Sequence, residues 1–195
     1  VGNPLRSNIT PNKSAHDGLR VLIVGGSLGA MVLNQRVPKA MALLAPDERP
    51  QIWHQTGPKH HQETQAGYDK AKVVAKVEAY IDDMGLAYAW ADLVICRSGA
   101  LTVSELAGAG VASILVPYPH AVDDHQTANA AVLVSAGAAI LLPQTQLSPD
   151  TLSENIRALQ SHPITLNTMA TAALTYAAPK AAYTVAKHCM EIARG

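Results

Sequence analysis

Short apolar runs recur along the chain, each cut off by small or polar residues and followed by a longer segment with helical spacing. Leu19-Arg20-Val21-Leu22-Ile23-Val24 opens the series as a strand, and Gly25-Gly26-Ser27-Leu28-Gly29 turns it into a helix running to about Leu44. Pro38 falls inside that helix and is expected to kink it or to restart it as a first-turn residue. Gln51–Gln55 reads as a second strand, Lys59–Lys70 as a polar, exposed helix, and Val73–Tyr80 as a third strand ending at Ile81-Asp82-Asp83-Met84. A short helix over Leu86–Ala91 precedes the buried strand Leu93–Cys96, which feeds an Ala/Leu-rich helix reaching Gly110. The strand Ser113–Pro117 gives way to a polar loop through Asp124, a helix over His125–Ala136 and a short edge strand over Ala139–Leu142. Ser148-Pro149-Asp150 has the cap, first-turn proline and acid of a helix start. Two Ala-rich helices, near Leu166–Tyr176 and Lys180–Arg194, finish the chain.

Strands alternating with helices predict an α/β fold, a parallel sheet with helices on both faces. Residues 1–18, polar and broken by Pro4, Pro11 and Gly18, read as a linker or domain edge, and residues 19–195 as the domain. In such a fold ligands bind beyond the carboxyl ends of the strands. Four loops that follow strand ends, at Gly25–Gly29, Ile81–Met84, Arg97–Glu105 and Tyr118–Gln126, are therefore expected on one rim.

Composition narrows the partners. Hydrophobic residues make up 48% and charged residues 15%, which is a globular balance. A net charge of +0 and an absence of Phe argue against nucleic acid, which calls for a basic surface and stacking aromatics. No apolar run approaches the roughly 20 residues of a membrane span, and no signal peptide opens the chain. The two cysteines, Cys96 and Cys189, lack metal-like spacing and suggest reduced thiols in the cytoplasm. The chain starts at Val1 without an initiator Met, as a processed protein or a fragment does.

The densest chemistry lies in Cys96-Arg97-Ser98-Gly99-Ala100-Leu101-Thr102-Val103-Ser104-Glu105. Small residues at 98–100 let an anion approach the backbone, and the first N–H groups of the following helix would face it, favoured by the helix dipole. Glu105, about one turn further, is misplaced for phosphate and suited to accept two hydrogen bonds from a ribose diol. Together they suggest a nucleotide diphosphate; the alternative is an ordinary strand–helix connection in which Glu105 only favours the helix start. A nicotinamide dinucleotide fingerprint fails at the glycine turn, because Ser27 occupies the middle glycine and the second strand ends at His54-Gln55 without an acid. A Walker loop is excluded, since no Gly-Lys-Ser/Thr occurs. Ser27 and its neighbouring N–H groups could instead touch a phosphate or sugar. Asp124, His125 and Gln126 fit sugar hydroxyls better than a metal, having no third ligand, or else form a solvated helix start capped by an acid. Ile81 and Met84 line an apolar slot or lie in the core, and His60-His61 read as exposed. Ser27 and Ser98 are not read as the strained nucleophile of an elbow, although Gly25-Gly26-Ser27-Leu28-Gly29 has the letters Gly-x-Ser-x-Gly, and no hydrolase-like carboxylate pair stands out.

These same residues resemble a known family. Asp82-Asp83-Met84, Ala87-Tyr88-Ala89-Trp90-Ala91-Asp92 and the Cys96–Glu105 run, with Gly25–Ala30, Leu33-Asn34-Gln35 and Trp53–Gly57, are similar to the MurG family. Gly2-Asn3-Pro4-Leu5-Arg6 is similar to the interdomain linker that opens that family's C-terminal half. The resemblance implies the Rossmann-like, donor-binding C-terminal half of a GT-B glycosyltransferase. The implied reaction is inverting transfer of N-acetylglucosamine from UDP-N-acetylglucosamine to lipid I, giving lipid II in peptidoglycan synthesis. It places Ser27 at the diphosphate, Ala100, Leu101 and Thr102 at the phosphates, with Val103 and Ser104 on the same run, and Glu105 on the ribose. Ile81 and Met84 would hold the uracil, Arg6 would lie on the uracil or linker side, and Gln126 would meet the sugar hydroxyls with His125 beside it. No catalytic residue, metal or cofactor is implied in this chain. The acceptor loops, the candidate base and the membrane-docking patch of a peripheral inner-membrane protein belong to the missing N-terminal domain. A stand-alone donor-binding subunit paired with a separate acceptor subunit is the alternative, and a nucleotide-sugar epimerase of like architecture lacks placeable acids.

Overall fold

In the computed structural model, which describes residues 2–11, 16–26 and 30–194, the strands form one six-stranded sheet in the order β3-β2-β1-β4-β5-β6. The strands are β1 (Arg20–Val24), β2 (Gln51–Gln55), β3 (Lys76–Glu78), β4 (Leu93–Cys96), β5 (Ala112–Leu115) and β6 (Ala139–Leu141). All five pairings are parallel, with Ile23 opposite both His54 and Ile95 in the centre. Parallel strands need crossovers, and the helices α1 (Met31–Ala42), α2 (His61–Ala71), α3 (Met84–Trp90), α4 (Ala100–Ala109), α5 (His125–Ser135) and α6 (Pro149–Ser161) supply them or follow the last strand. Two more, α7 (Pro163–Leu174) and α8 (Ala181–Arg194), close the chain.

Side chains alternate across the sheet, so two apolar layers form. One joins Val21, Ile23 and Ile95 to Leu33, Val37 and Met41 of α1, Tyr68 of α2 and Ile156 of α6. The other joins Leu22, Val94 and Cys96 to Tyr88 of α3, Leu106 of α4 and Leu133 of α5. Buried on both sides, β1 and β4 read as unbroken apolar runs.

Several expectations shift. Pro38 neither ends nor restarts α1: one helix runs through it, and the ring is buried beside Gly67 of α2, so packing outweighs the lost backbone hydrogen bond. The third strand keeps only Lys76–Glu78 of the expected Val73–Tyr80. It pairs with β2 alone, and Val74 is 93% exposed. Helix α2 is not merely a surface helix, for it buries Thr64 and Tyr68, and His61 is half-buried with Nε2 3.2 Å from the Val77 carbonyl. Ser148 caps α6 as expected, its hydroxyl accepting the Thr151 N–H at 3.0 Å.

Under α1 lies a closed polar chain. His54 Nδ1 is 2.8 Å from the Tyr68 hydroxyl, its Nε2 is 3.0 Å from Asn34 Oδ1, and Asn34 Nδ2 donates to the Thr56 carbonyl at 2.9 Å. The last bond fixes the Asn34 amide, so His54 donates from Nε2 and accepts the tyrosine proton at Nδ1. Burial lowers the His54 pKa to about 3 and raises that of Tyr68, so both are neutral.

Candidate functional site

The strand order reverses between β1 and β4, and a cleft of about 620 Å³ opens there beyond their carboxyl ends. Gly25 and Gly26 of the first loop, Arg97, Gly99 and Thr102 of the β4–α4 connection, and Tyr118 and Gln126 of the β5–α5 connection line it. Three of the four expected loops thus converge. Ser27 lies outside the described residues.

Helix α4 begins at Ala100 with Gly99 as its N-cap, in extended backbone and with no side-chain cap. The first turn closes only by the Val103 N–H bond to the Gly99 carbonyl at 2.9 Å, which leaves the amides of Ala100, Leu101 and Thr102 without intrahelical partners. They present a partial positive charge. Ala100 and Leu101 are exposed, Thr102 and Ser104 half-buried, and Val103 is buried in the core. Ser98, fully buried just before the helix, has a hydroxyl with no hydrogen-bond partner, while its carbonyl accepts Asn129 Nδ2 of α5 at 3.1 Å. Asn3 docks on the same turn, donating to Ser104 Oγ at 2.9 Å and the Ala100 carbonyl at 3.3 Å.

A second group surrounds Tyr88. Glu105 is only 5% exposed, and its Oε2 accepts the Tyr88 hydroxyl at 3.0 Å. Ile81 and Met84 are buried against the same cluster. The Tyr88 pKa is raised by burial first and then by the Glu105 charge, while the charge of Arg6, an exposed residue, acts in the opposite sense. Cys96 is buried, and desolvation with the Glu105 charge pushes its pKa up to about 12, so it is no nucleophile at neutral pH. Asp83 caps α3, accepting the Leu86 N–H at 2.9 Å and Asn8 Nδ2 at 2.8 Å. Of the expected residues, Thr102 and Gln126 line the cleft, while Ile81 and Met84 are buried in the cluster around Tyr88 and Glu105 is bound to the Tyr88 hydroxyl.

The β5–α5 connection is strained. Asp123 and Asp124 both have φ of 50°, a left-handed conformation costing on the order of 1 kcal/mol or more per non-glycine residue. Asp124 occupies the N-cap of α5, yet it makes no backbone cap bond and accepts the Thr127 hydroxyl at 2.7 Å instead. His125, exposed, and Gln126, half-buried, follow on the first turn of α5. Arg97, Tyr118 and Gln144 line the cleft without having been assigned a role from sequence. A charged residue placed directly after a fully buried strand was the available signal for Arg97. Among the described residues no group of three His, Cys, Asp or Glu side chains could hold a metal, and no helix is long and apolar enough to cross a membrane.

A six-stranded parallel sheet with helices on both faces and a cleft at its switch point defines a Rossmann-like α/β domain. The chain belongs to the glycosyltransferase family 28 C-terminal domain family, whose model matches residues 20–187. It is 50% identical over 202 residues to the UDP-N-acetylglucosamine--N-acetylmuramyl-(pentapeptide) pyrophosphoryl-undecaprenol N-acetylglucosamine transferase of Marinobacter nauticus. It is 51% identical over 201 residues to the Dechloromonas aromatica protein of the same name; each match takes in 100% of this chain and 56% of the relative. A crystal structure of Acinetobacter baumannii MurG is similar with a TM-score of 0.85 at 42% identity, covering 94% of this chain and 55% of that one. The chain spans about half the length of the curated relatives it matches.

Proposed function

We propose that this chain is the donor-binding half of an inverting N-acetylglucosaminyltransferase that, as a whole protein, moves N-acetylglucosamine from UDP-N-acetylglucosamine to lipid I. The observation that carries this reading is the uncapped N-terminus of α4 on the switch-point cleft, in a chain half identical to transferases bearing that name. The free amides of Ala100–Thr102 bind the diphosphate and stabilise the charge that develops on UDP as the sugar leaves. Ser27 is assigned to the diphosphate from the sequence resemblance, Glu105 takes the ribose hydroxyls, and Ile81 and Met84 back the uracil with Arg6 on the uracil or linker side. Val103 and Ser104 hold the helix turn between these contacts. Gln126, with His125 beside it, meets the sugar hydroxyls.

The acceptor hydroxyl and the base that deprotonates it belong to the other half, which works at the cytoplasmic face of the membrane. Helix α8 supports a second body packed here: Tyr183, Met190 and Ile192 are 71%, 53% and 82% exposed on a helix that otherwise buries little. Calorimetric titration of the chain with UDP-N-acetylglucosamine tests the reading. Saturable binding with no transfer to an acceptor is expected, and absence of binding at millimolar donor sinks it.

A further inference from the structure

An arginine on a cleft beside a helix N-terminus would ordinarily be read as a phosphate ligand. Arg97 is already committed elsewhere. Nη1 donates to the carbonyls of Val116 at 3.1 Å and Pro117 at 3.0 Å, and Nη2 donates to Gln144 Oε1 at 2.7 Å. The guanidinium carbon also lies 5.4 Å from the centre of the Tyr118 ring. These partners follow β5 and β6, so one planar fork, anchored at the end of β4, ties three strand ends together. Tyr118, next after Pro117, donates its N–H to Gln126 Oε1 at 3.0 Å. A backbone N–H can only donate, so the Gln126 amide is held with its oxygen toward Tyr118. Its NH2 donors point the other way and remain for a ligand.

We infer that Arg97 is a positioning residue for sugar recognition: by clamping Val116–Tyr118 it sets the place and orientation of the Gln126 amide, and it does not ligate the diphosphate. The inference rests on the donor reading above. Lysine at 97 keeps the charge, but a single ammonium cannot reproduce the fork. The test is calorimetry with UDP and with UDP-N-acetylglucosamine on the unmodified chain, Arg97→Lys, Gln126→Ala and the double variant. Arg97→Lys should hold UDP within about threefold while the ratio of UDP-N-acetylglucosamine to UDP affinity falls about tenfold, the scale of a lost hydrogen-bonding contact. Gln126→Ala should lower the ratio as far, and the double variant no further, because the two act as one unit. Gln144→Ala removes one anchor while keeping the arginine; it should lower the ratio less, and it carries the test if Arg97→Lys does not fold.

An unchanged ratio in Arg97→Lys or Gln144→Ala overturns the inference. So does a loss of UDP affinity that Arg97→Met suffers and Arg97→Lys restores, the mark of a phosphate ligand. If the unmodified chain binds neither compound, the donor reading fails and this inference with it.

Discussion

On the face of the sheet covered by α1 and α2, His54, Tyr68, Asn34 and Thr56 form a chain in which both ring nitrogens and both ends of the Asn34 amide have partners. On the face covered by α3, α4 and α5, the Ser98 hydroxyl is buried with no partner, the α4 amides have no side-chain cap, and Glu105 is matched only to a tyrosine hydroxyl through Oε2. A buried polar group without a partner costs free energy, and among the described residues His16 Nδ1, Arg20 Nε and Ser113 Oγ lack one too, so such a group points to a ligand only where, as at Ser98, it adjoins the cleft. The closed chain fastens α1 and α2 to β2. The incomplete set marks where a ligand belongs. Burial alone does not separate the two, since His54 and Glu105 are both buried.

That contrast predicts a division between stability and binding. The largest effect is expected from His54→Ala, which leaves a cavity and strands the Tyr68 hydroxyl and Asn34 amide. Urea denaturation should show a loss of about 3 kcal/mol, with UDP affinity unchanged wherever the variant is folded. A parallel fall in affinity would break the comparison. Glu105→Ala should do the reverse: donor affinity falls by about 1.5–3 kcal/mol, the scale of a hydrogen bond to a charged group, with a smaller change in stability. Equal donor binding by the variant and the parent would remove Glu105 from the site.

The closed chain also has a pH signature. His54 binds a proton in the unfolded chain below pH 6.5 but in the folded one only near its lowered value of about 3. Its stabilisation is therefore full above 6.5 and is lost as pH falls through that window, by about 2 kcal/mol between pH 7 and 5. Unfolding curves of the parent and of His54→Gln should diverge by that amount across the range; parallel pH profiles would contradict it. The smallest effect is expected from Tyr88→Phe, which frees the Glu105 carboxylate to rotate. The preference for UDP over 2′-deoxy-UDP should shrink by about 1 kcal/mol while overall stability drops little. A preference left intact shows that Tyr88 does not orient the carboxylate.

Strands β1 and β4 were legible because each is a compact, largely apolar run buried on both sides, and three of the four rim loops followed from the alternation of strands and helices. The edge strand was overestimated because Val73 and Val74 carry strand propensity without a neighbour to pair with. The α4 site was legible because its small residues and its acid sit within one short stretch. The closed chain was not, for Asn34, His54 and Tyr68 come from three elements and become meaningful only when packed. A histidine in the otherwise apolar run Ile52-Trp53-His54 was its one trace. Arg97 escaped assignment for a similar reason, since its partners at Val116, Pro117 and Gln144 lie 19 to 47 residues away.

Gly99 shows what the bare helix start means for the protein's history. Its φ of −63° is open to any residue, and a Cβ there would meet only Thr102 Oγ1, at 3.9 Å. Neither backbone nor space demands glycine. Serine or aspartate at that position would cap the helix and stabilise it by about a few tenths of a kcal/mol over glycine. The same side chain would occupy the amides as a built-in competitive inhibitor. Improvement of the fold by its easiest route is thus closed to this position, and directed selection for heat resistance alone should fill it and silence the site.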